Sequence, residues 1–526
     1  MEHMQAWPLT VDRFIDHAAR WYGNHEIVSR LADGAVVRTS WAELLLQAKR
    51  VSNALLASGI KPGDRVGTLA MNSAHHLACW YGIMGIGAVC HTLNPRLSDE
   101  QLTYIINHAE DRLIFADKDF TEIVARLLPS CPAVEKVVSI DDTESWEGFT
   151  SGHSVDVVWG MFDEQAAAGL CYTSGTTGDP KGVLYSHRSN YLHTMMTIQP
   201  NAMNLGIGDV IMPVVPMFHA NAWGLAFAAP AVGSKLVLPG ARLDGASLYE
   251  LMENEGVTVT AGVPTVWQNL LQYISEHGLQ LSSLKRVLVG GAACPRNVFD
   301  DFNALGVEVV HAWGMTELSP LGTCGTMDNE ISTLPRAEQM QYRVKQGRVL
   351  MGIDIRIVDD KGAELPRDGK TSGFLQVRGH SVVAAYYKKD GSVLDADGFF
   401  DTGDIATIDP RGFMRITDRA KDVIKSGGEW ISSVDMENTV MSHPGIELAA
   451  VIGVPHPKWD ERPLLIVKRH PGQSVTAADL QAHIARSAAK WEVPDAVLFV
   501  DHIPLTATGK LDKKHLRGQY GASWQW

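Results

Sequence analysis

The sequence predicts an α/β protein: a large N-terminal domain of layered, largely parallel sheets with helices and a β-rich subdomain, then a small α+β C-terminal domain. Three observations carry that expectation. Short apolar runs alternate with amphipathic ones over most of the chain, strands and turns take over from Gly373 to Thr417, and a compact mixed segment follows. Strands separated by helices pair in parallel through crossovers. At 526 residues the chain is too long for one compact core.

Residues 64–70 (DRVGTLA) read as a strand. Ser98 then opens a helix with Gln101 three positions on, a capping-box pattern, and Leu102, Ile105 and Ile106 form its apolar stripe. Residues 113–116 give the next strand, and 168–172, 257–261, 286–289 and 307–310 continue the alternation. The Pro410-Arg411-Gly412 turn marks the strand-rich stretch. Beyond it a helix is expected over 433–441 and an alternating strand over 448–454. The charged segment 418–421 suits an exposed joint better than a buried strand, dividing the chain into 1–417, a hinge at 418–421, and 422–526.

Composition narrows the function. Hydrophobic residues make up 45% and charged ones 20%, a folded, globular balance. Forty-six basic against 60 acidic side chains give a formal charge of −14, which argues against a nucleic-acid partner but allows a local cationic pocket. The six cysteines (Cys79, Cys90, Cys131, Cys171, Cys294, Cys324) follow no metal-ligand spacing and read as buried, reduced thiols. No basic-then-apolar leader opens the chain, and its most apolar stretch, 222–232, is too short to span a bilayer. A cytoplasmic protein is expected.

The sharpest chemical signal is YTSGTTGDPKG, from Tyr172 to Gly182. Glycines at 175, 178 and 182 let backbone wrap closely around an anion, and the hydroxyls of Thr173, Ser174, Thr176 and Thr177 can donate to phosphate oxygens. Lys181 adds a point charge. No GK[ST] follows a glycine at P-loop spacing, so an ordinary phosphoryl-transfer fold is disfavoured.

Further motifs follow in order: HAWGMTE from His311 to Glu317, DTGD from Asp401 to Asp404, DRAKDVIKSGG from Asp418 to Gly428, and LTATGK from Leu505 to Lys510. The ordered set spans nearly the whole chain. It resembles the adenylate-forming superfamily of acyl-CoA synthetases, peptide-synthetase adenylation domains and firefly luciferase. PMFHANAW (Pro216 to Trp223) and GEWISS (Gly428 to Ser433) resemble bacterial medium- to long-chain fatty acyl-CoA synthetases and methylmercaptopropionate-CoA ligases more narrowly.

The resemblance implies two half-reactions. A carboxylate attacks the α-phosphorus of ATP, giving acyl-adenylate and diphosphate, and the thiol of coenzyme A then takes the acyl group. It implies that Thr173 and Glu317 hold Mg²⁺, a cation that favours hard oxygen ligands. ATP or AMP would lie against Thr173 to Gly178 and Lys181, against Gly291, Ala292 and Ala293, and against His311, Ala312, Trp313, Gly314, Met315 and Thr316. Trp313 would stack on adenine. The small residues at 291–293 leave room for the base, or serve tight strand-to-helix packing. Asp404 would accept the ribose hydroxyls with Arg419 donating nearby, whereas Asp401 reads equally as a turn former.

By the same resemblance Lys510 bridges the substrate carboxylate and the α-phosphate, although a lysine in so polar a tail is ordinarily exposed. Lys421 matches the hinge about which a mobile C-terminal domain rotates. Lys425, Ser426, Gly427 and Gly428 would line the pantetheine tunnel. Trp430 reads either as a neighbour of nucleotide or tunnel, or as core.

For the acyl group the resemblance points to His219, Ala220, Trp223, Gly291 and Met315. His219 stands after Phe218, where amino-acid-activating relatives carry Asp, so a substrate ammonium would lack its counter-charge. Trp223 reads as the gate of an acyl tunnel or, from its helical spacing to Phe227, as core packing. Three departures from the family pattern stand out: Trp313 for Tyr or Phe, Asp418 for Gly, and Leu505 for Arg. The reading is a ligase joining an apolar acid, a medium- to long-chain fatty acid first and a methylthioalkanoate or aryl acid next, to coenzyme A, with a homodimer the family habit. The rivals are an adenylation module loading a carrier protein and a luciferase-like oxygenase.

Overall fold

The computed structural model describes residues 4–173, 179–427, 429–486, 488–506, 510–521 and 524. Their strands form four sheets. The first holds six strands in the order Lys136–Ser139, Leu113–Ala116, Arg65–Leu69, Val89–Thr92, Ala167–Thr173 and Lys181–Ser186. All neighbours pair in parallel except the last, which runs antiparallel along the edge. The second sheet has nine strands, with Lys235–Leu238, Val210–Pro213, Val259–Gly262, Arg286–Val289 and Glu308–Gly314 parallel at its centre. The third is antiparallel, built from Ile353–Val358, Gly373–Gly379, Phe400–Ile408 and Met414–Arg419. The fourth gathers five strands from the C-terminal hundred-odd residues around the long Ile446–His456 and Asp460–Arg469 pair.

One apolar core joins the first three sheets through side chains such as Phe115, Ile211, Leu288 and Leu375. The fourth has clusters of its own, one around Ile424, Val440, Val451 and Leu465 and another around Ile452 and Leu464. Each such side chain contributes roughly 1.5–3 kcal/mol on burial, so the C-terminal unit has a core independent of the large one. The capping box at Ser98 is present: its hydroxyl accepts the Gln101 N–H and the Gln101 side chain accepts the Ser98 N–H. All six cysteines are buried and unpaired.

The expected strands at 113–116 and 286–289 and the helix at 433–441 coincide with those found. Others shift at their ends, the strand expected at 307–310 becoming Glu308–Gly314. Two expectations fail. The joint at 418–421 is not exposed throughout, because Asp418 is only 1% exposed and lies in the Met414–Arg419 strand. Its carboxylate is compensated by the N–H and hydroxyl of Ser433, which lets a charged side chain leave water. Trp223 and Phe227 also do not share a helix. That helix begins at Leu225, and residues 220–223 turn left-handed before it, with φ between 44° and 57°.

Candidate active site

In sheets with parallel strands, ligands collect beyond the strand carboxyl ends, and Thr173, Gly291 and Trp313 lie at or just past such ends. The Ala167–Thr173 strand ends at Thr173, which faces Lys181 across an antiparallel pair. Ser174, Gly175, Thr176, Thr177 and Gly178, which join the two, lie outside the described residues. Past the Arg286–Val289 strand, Gly291 takes φ +78°, a conformation that glycine adopts freely, and Gly291 and Ala292 are exposed beside half-buried Ala293. The Glu308–Gly314 strand brings in buried His311, Ala312 and Trp313 with partly exposed Gly314. Met315 follows, and then a short 3-10 turn carrying Thr316 and Glu317. The Tyr185 hydroxyl donates to the Thr316 carbonyl at 2.8 Å and fixes that turn.

Asp404 is buried, and both of its oxygens are engaged. One accepts the Trp313 indole N–H at 2.9 Å and the other faces Arg419 Nε at 2.9 Å. Each oxygen keeps a second lone pair for a ribose hydroxyl. Asp401 acts as a turn former: its exposed carboxylate accepts the Gly403 N–H at 2.9 Å.

Glu317 is 7% exposed, and burial raises its carboxyl above the usual range, against the pull of Tyr386, Arg419 and Lys181. The Tyr386 hydroxyl donates to Glu317 Oε1 at 2.9 Å, and Lys181 Nζ sits 4.8 Å from the centre of the Tyr386 ring. Lys510 enters this group from the C-terminal unit. Burial and the nearby Arg419 lower its ammonium to about 8, while Asp404 and Glu317 act in the other direction. The Thr506 N–H donates to the Lys510 carbonyl at 2.7 Å. His219 lies close enough to feel Lys510, and burial first, then that charge, pushes its imidazole down to about 4. It is therefore neutral at ordinary pH.

The left-handed turn holds Ala220 and Trp223, two of the residues expected on the acyl side, and His219 stands next to it. Ala220, Asn221 and Ala222 are buried, and Trp223 projects partly exposed toward Gly290 and Gly291, where an added Cβ would meet its ring at 3.2 and 3.8 Å. His193 braces the turn from behind: it packs on Gly224 and accepts the Leu321 N–H at 2.9 Å. On the C-terminal unit Lys421, Lys425 and Gly427 are exposed, while Ser426 is buried and takes a hydrogen bond from Arg462. Gly428 lies outside the described residues. Trp430 is 40% exposed and meets Phe374 of the third sheet edge-on, 5.9 Å between ring centres, so it is not core.

The AMP-binding enzyme family matches residues 15–387, and its C-terminal domain matches residues 435–510. The chain belongs to the AMP-binding enzyme family. Its relatives include a 3-methylmercaptopropionyl-CoA ligase of Ruegeria lacuscaerulensis, 48% identical with 98% of each chain covered. A medium-chain-fatty-acid–CoA ligase of Ectopseudomonas oleovorans is 47% identical, over 98% of this chain and 96% of that one. Among solved structures, ATP-bound MatB from Rhodopseudomonas palustris superposes with a TM-score of 0.84 at 26% identity, covering 98% of this chain and all of the other. This AMP-binding enzyme is an acid–thiol ligase that uses ATP, Mg²⁺ and coenzyme A.

The residues present fit a magnesium–triphosphate. Among the described residues no three His, Cys, Asp or Glu side chains converge on a metal cage. Mg²⁺ needs few protein ligands when phosphate oxygens and water supply the rest. Lys181, Arg419 and Lys510 outnumber Glu317 and Asp404, so the cleft calls for an anion. Sequence reasoning missed Tyr386, Tyr185 and His193. Tyr386 sits in AYYKK, a run without a chemical pattern, and reaches Glu317 only because the loop after the Gly373–Gly379 strand folds back.

Proposed function

We propose that this AMP-binding enzyme activates an apolar carboxylic acid of medium to long chain as its acyl-adenylate and passes the acyl group to coenzyme A, with each cleft residue in a defined role. Lys510 carries the proposal: a lysine of the C-terminal unit lies within electrostatic reach of Glu317 and Asp404 of the large domain. Two anions must meet for the first step, and Lys510 and Lys181 lower the cost by facing the charge that develops. Trp313 and the 291–293 loop hold the base, and Asp404 with Arg419 holds the sugar. Thr173 and Glu317 would hold Mg²⁺, which supplies charge neutralisation across the phosphates. Neutral His219, Ala220, Trp223, Gly291 and Met315 bound the acyl group and offer no counter-charge to a substrate ammonium.

For the second step the C-terminal unit, 422–526, turns about the 418–421 segment with Lys421 as pivot. Lys425 to Gly428 then come to line the thiol's path, and Trp430 leaves Phe374. A thioether acid is the second reading, favoured by the methylmercaptopropionate relative. Diphosphate release over a panel of straight-chain, thioether and aryl acids decides between them. Light emission without thioester would favour an oxygenase, and transfer only to a carrier protein would favour a loading module. The same reading carries a cytoplasmic homodimer, which sedimentation at micromolar protein and cell fractionation check.

A further inference from the structure

Three residues past Lys510 lies a buried ionic cluster that the two half-reactions do not use. Lys513 is 8% exposed, yet its ammonium sits 2.8 Å from Glu437 Oε1 and donates to Ser433 Oγ at 2.6 Å. Glu437 is 5% exposed and also accepts the Val451 N–H at 2.8 Å. Ser433 is fully buried. Its hydroxyl and N–H donate to the Asp418 carboxylate at 2.8 and 2.6 Å. Asp418 belongs to the third sheet, where its backbone faces Ile405, and the next pair along that ladder is Arg419 with Asp404.

A polar chain therefore runs from the Lys510 segment through Lys513, Ser433 and Asp418 to the strand pair that holds Arg419 and Asp404. A lysine so buried is expensive unless partnered, and this one has both a carboxylate and a hydroxyl against its ammonium. Its ordinary alternative, a solvated surface charge, was available in this polar tail.

We propose that Lys513 is a positioning residue: clamped by Glu437 and Ser433, it sets the depth at which Lys510 enters the adenylation cleft. The inference rests on the assignment of Lys510 given above. Glu437, Ser433 and Lys513 all follow Lys421 in the chain and travel together when the unit turns. Asp418 stays with its sheet. The contact with Asp418 thus exists only while Lys510 faces the cleft, whereas the Lys513–Glu437 pair holds the loop throughout.

The test separates the half-reactions in the full-length enzyme. Exchange of labelled diphosphate into ATP, with octanoate present, reads the first step, and thioester formation from supplied octanoyl-adenylate and coenzyme A reads the second. Lys513→Met is expected to lower exchange by about tenfold to a hundredfold, as a displacement near 1 Å does, and to leave the second step unchanged. In a Lys510→Ala background the same change should cost nothing further, since a residue acting only through Lys510 has nothing left to position. Lys513→Arg should recover part of the loss. Equal damage to both steps, or additive losses in the double variant, overturns the proposal. If Lys513→Met does not fold, Glu437→Gln, which keeps the volume, reads the same coupling. Wild-type exchange by Lys510→Ala alone would remove the assignment of Lys510. A crippled Lys510→Ala beside a fully active Lys513→Met would sink the positioning role and spare that assignment.

Discussion

At the residue scale the cleft turns on charges that have left water. Lys510→Ala is expected to lower diphosphate exchange by about 10²–10³, the usual loss for one preorganised donor, and to spare the thioester step. Its ammonium, at about 8, lies below the ordinary lysine value. Only the protonated form attracts the two reacting anions, so kcat/KM for ATP in the exchange assay should fall as pH rises through about 8. Lys510→Arg, which stays charged, should move that limb upward even if the rate drops. Tyr386→Phe removes the hydroxyl that orients Glu317 and keeps the ring under Lys181. It should raise the Mg²⁺ concentration needed for half-maximal exchange by about tenfold, the lower end for loss of a ligand-orienting partner. Titration of Mn²⁺ against the enzyme–ATP complex by electron paramagnetic resonance checks this directly.

At the element scale, strands with strong apolar runs were legible in the sequence, as at 113–116 and 286–289. Elsewhere the ends were not, as for the strand expected at 307–310 and found at Glu308–Gly314, because an end depends on how far the neighbouring strand continues. Motif residues Thr173, Trp313 and Glu317 were legible because local sequence places them at or just past the ends of strands in the first two sheets, whereas Asp404 lies mid-strand in the antiparallel third sheet and was legible from its DTGD motif alone. Tyr386 and His193 reach the site by tertiary folding alone. The left-handed turn at 220–223 was hidden as well. Its ANAW sequence holds one residue, Asn221, that favours such angles. Ala222, at φ 49°, bears strain that glycine would not, so Ala222→Gly should stabilise the protein by about 1 kcal/mol, less some unfolded-state entropy. A urea midpoint checks it, and broader chain-length tolerance should follow as Trp223 loosens. Lys421→Pro should slow the thioester step while leaving exchange intact, because proline fixes φ where the turning chain must change it. An unaltered ratio of the two half-rates would remove Lys421 from the hinge.

At the scale of the whole molecule, one large core supports the proposed nucleotide and acyl walls, and a smaller unit with its own clusters carries Lys510. The rotation proposed above would leave these separate clusters intact. The buried Asp418 was misread as exposed because composition alone cannot show that Ser433 and Lys513 wait to receive it. Among the described residues no helix is long and apolar enough to cross a membrane.

The cysteines carry a consequence for selectivity. An acyl-adenylate is a hot electrophile, and any accessible thiolate on the enzyme would compete for its cargo. All six sulfurs are buried, and that burial lifts every one of their ionisations above the ordinary range. The protein thus offers its own intermediate no accessible sulfur acceptor, and self-acylation on cysteine should be undetectable by peptide mass mapping even when coenzyme A is withheld.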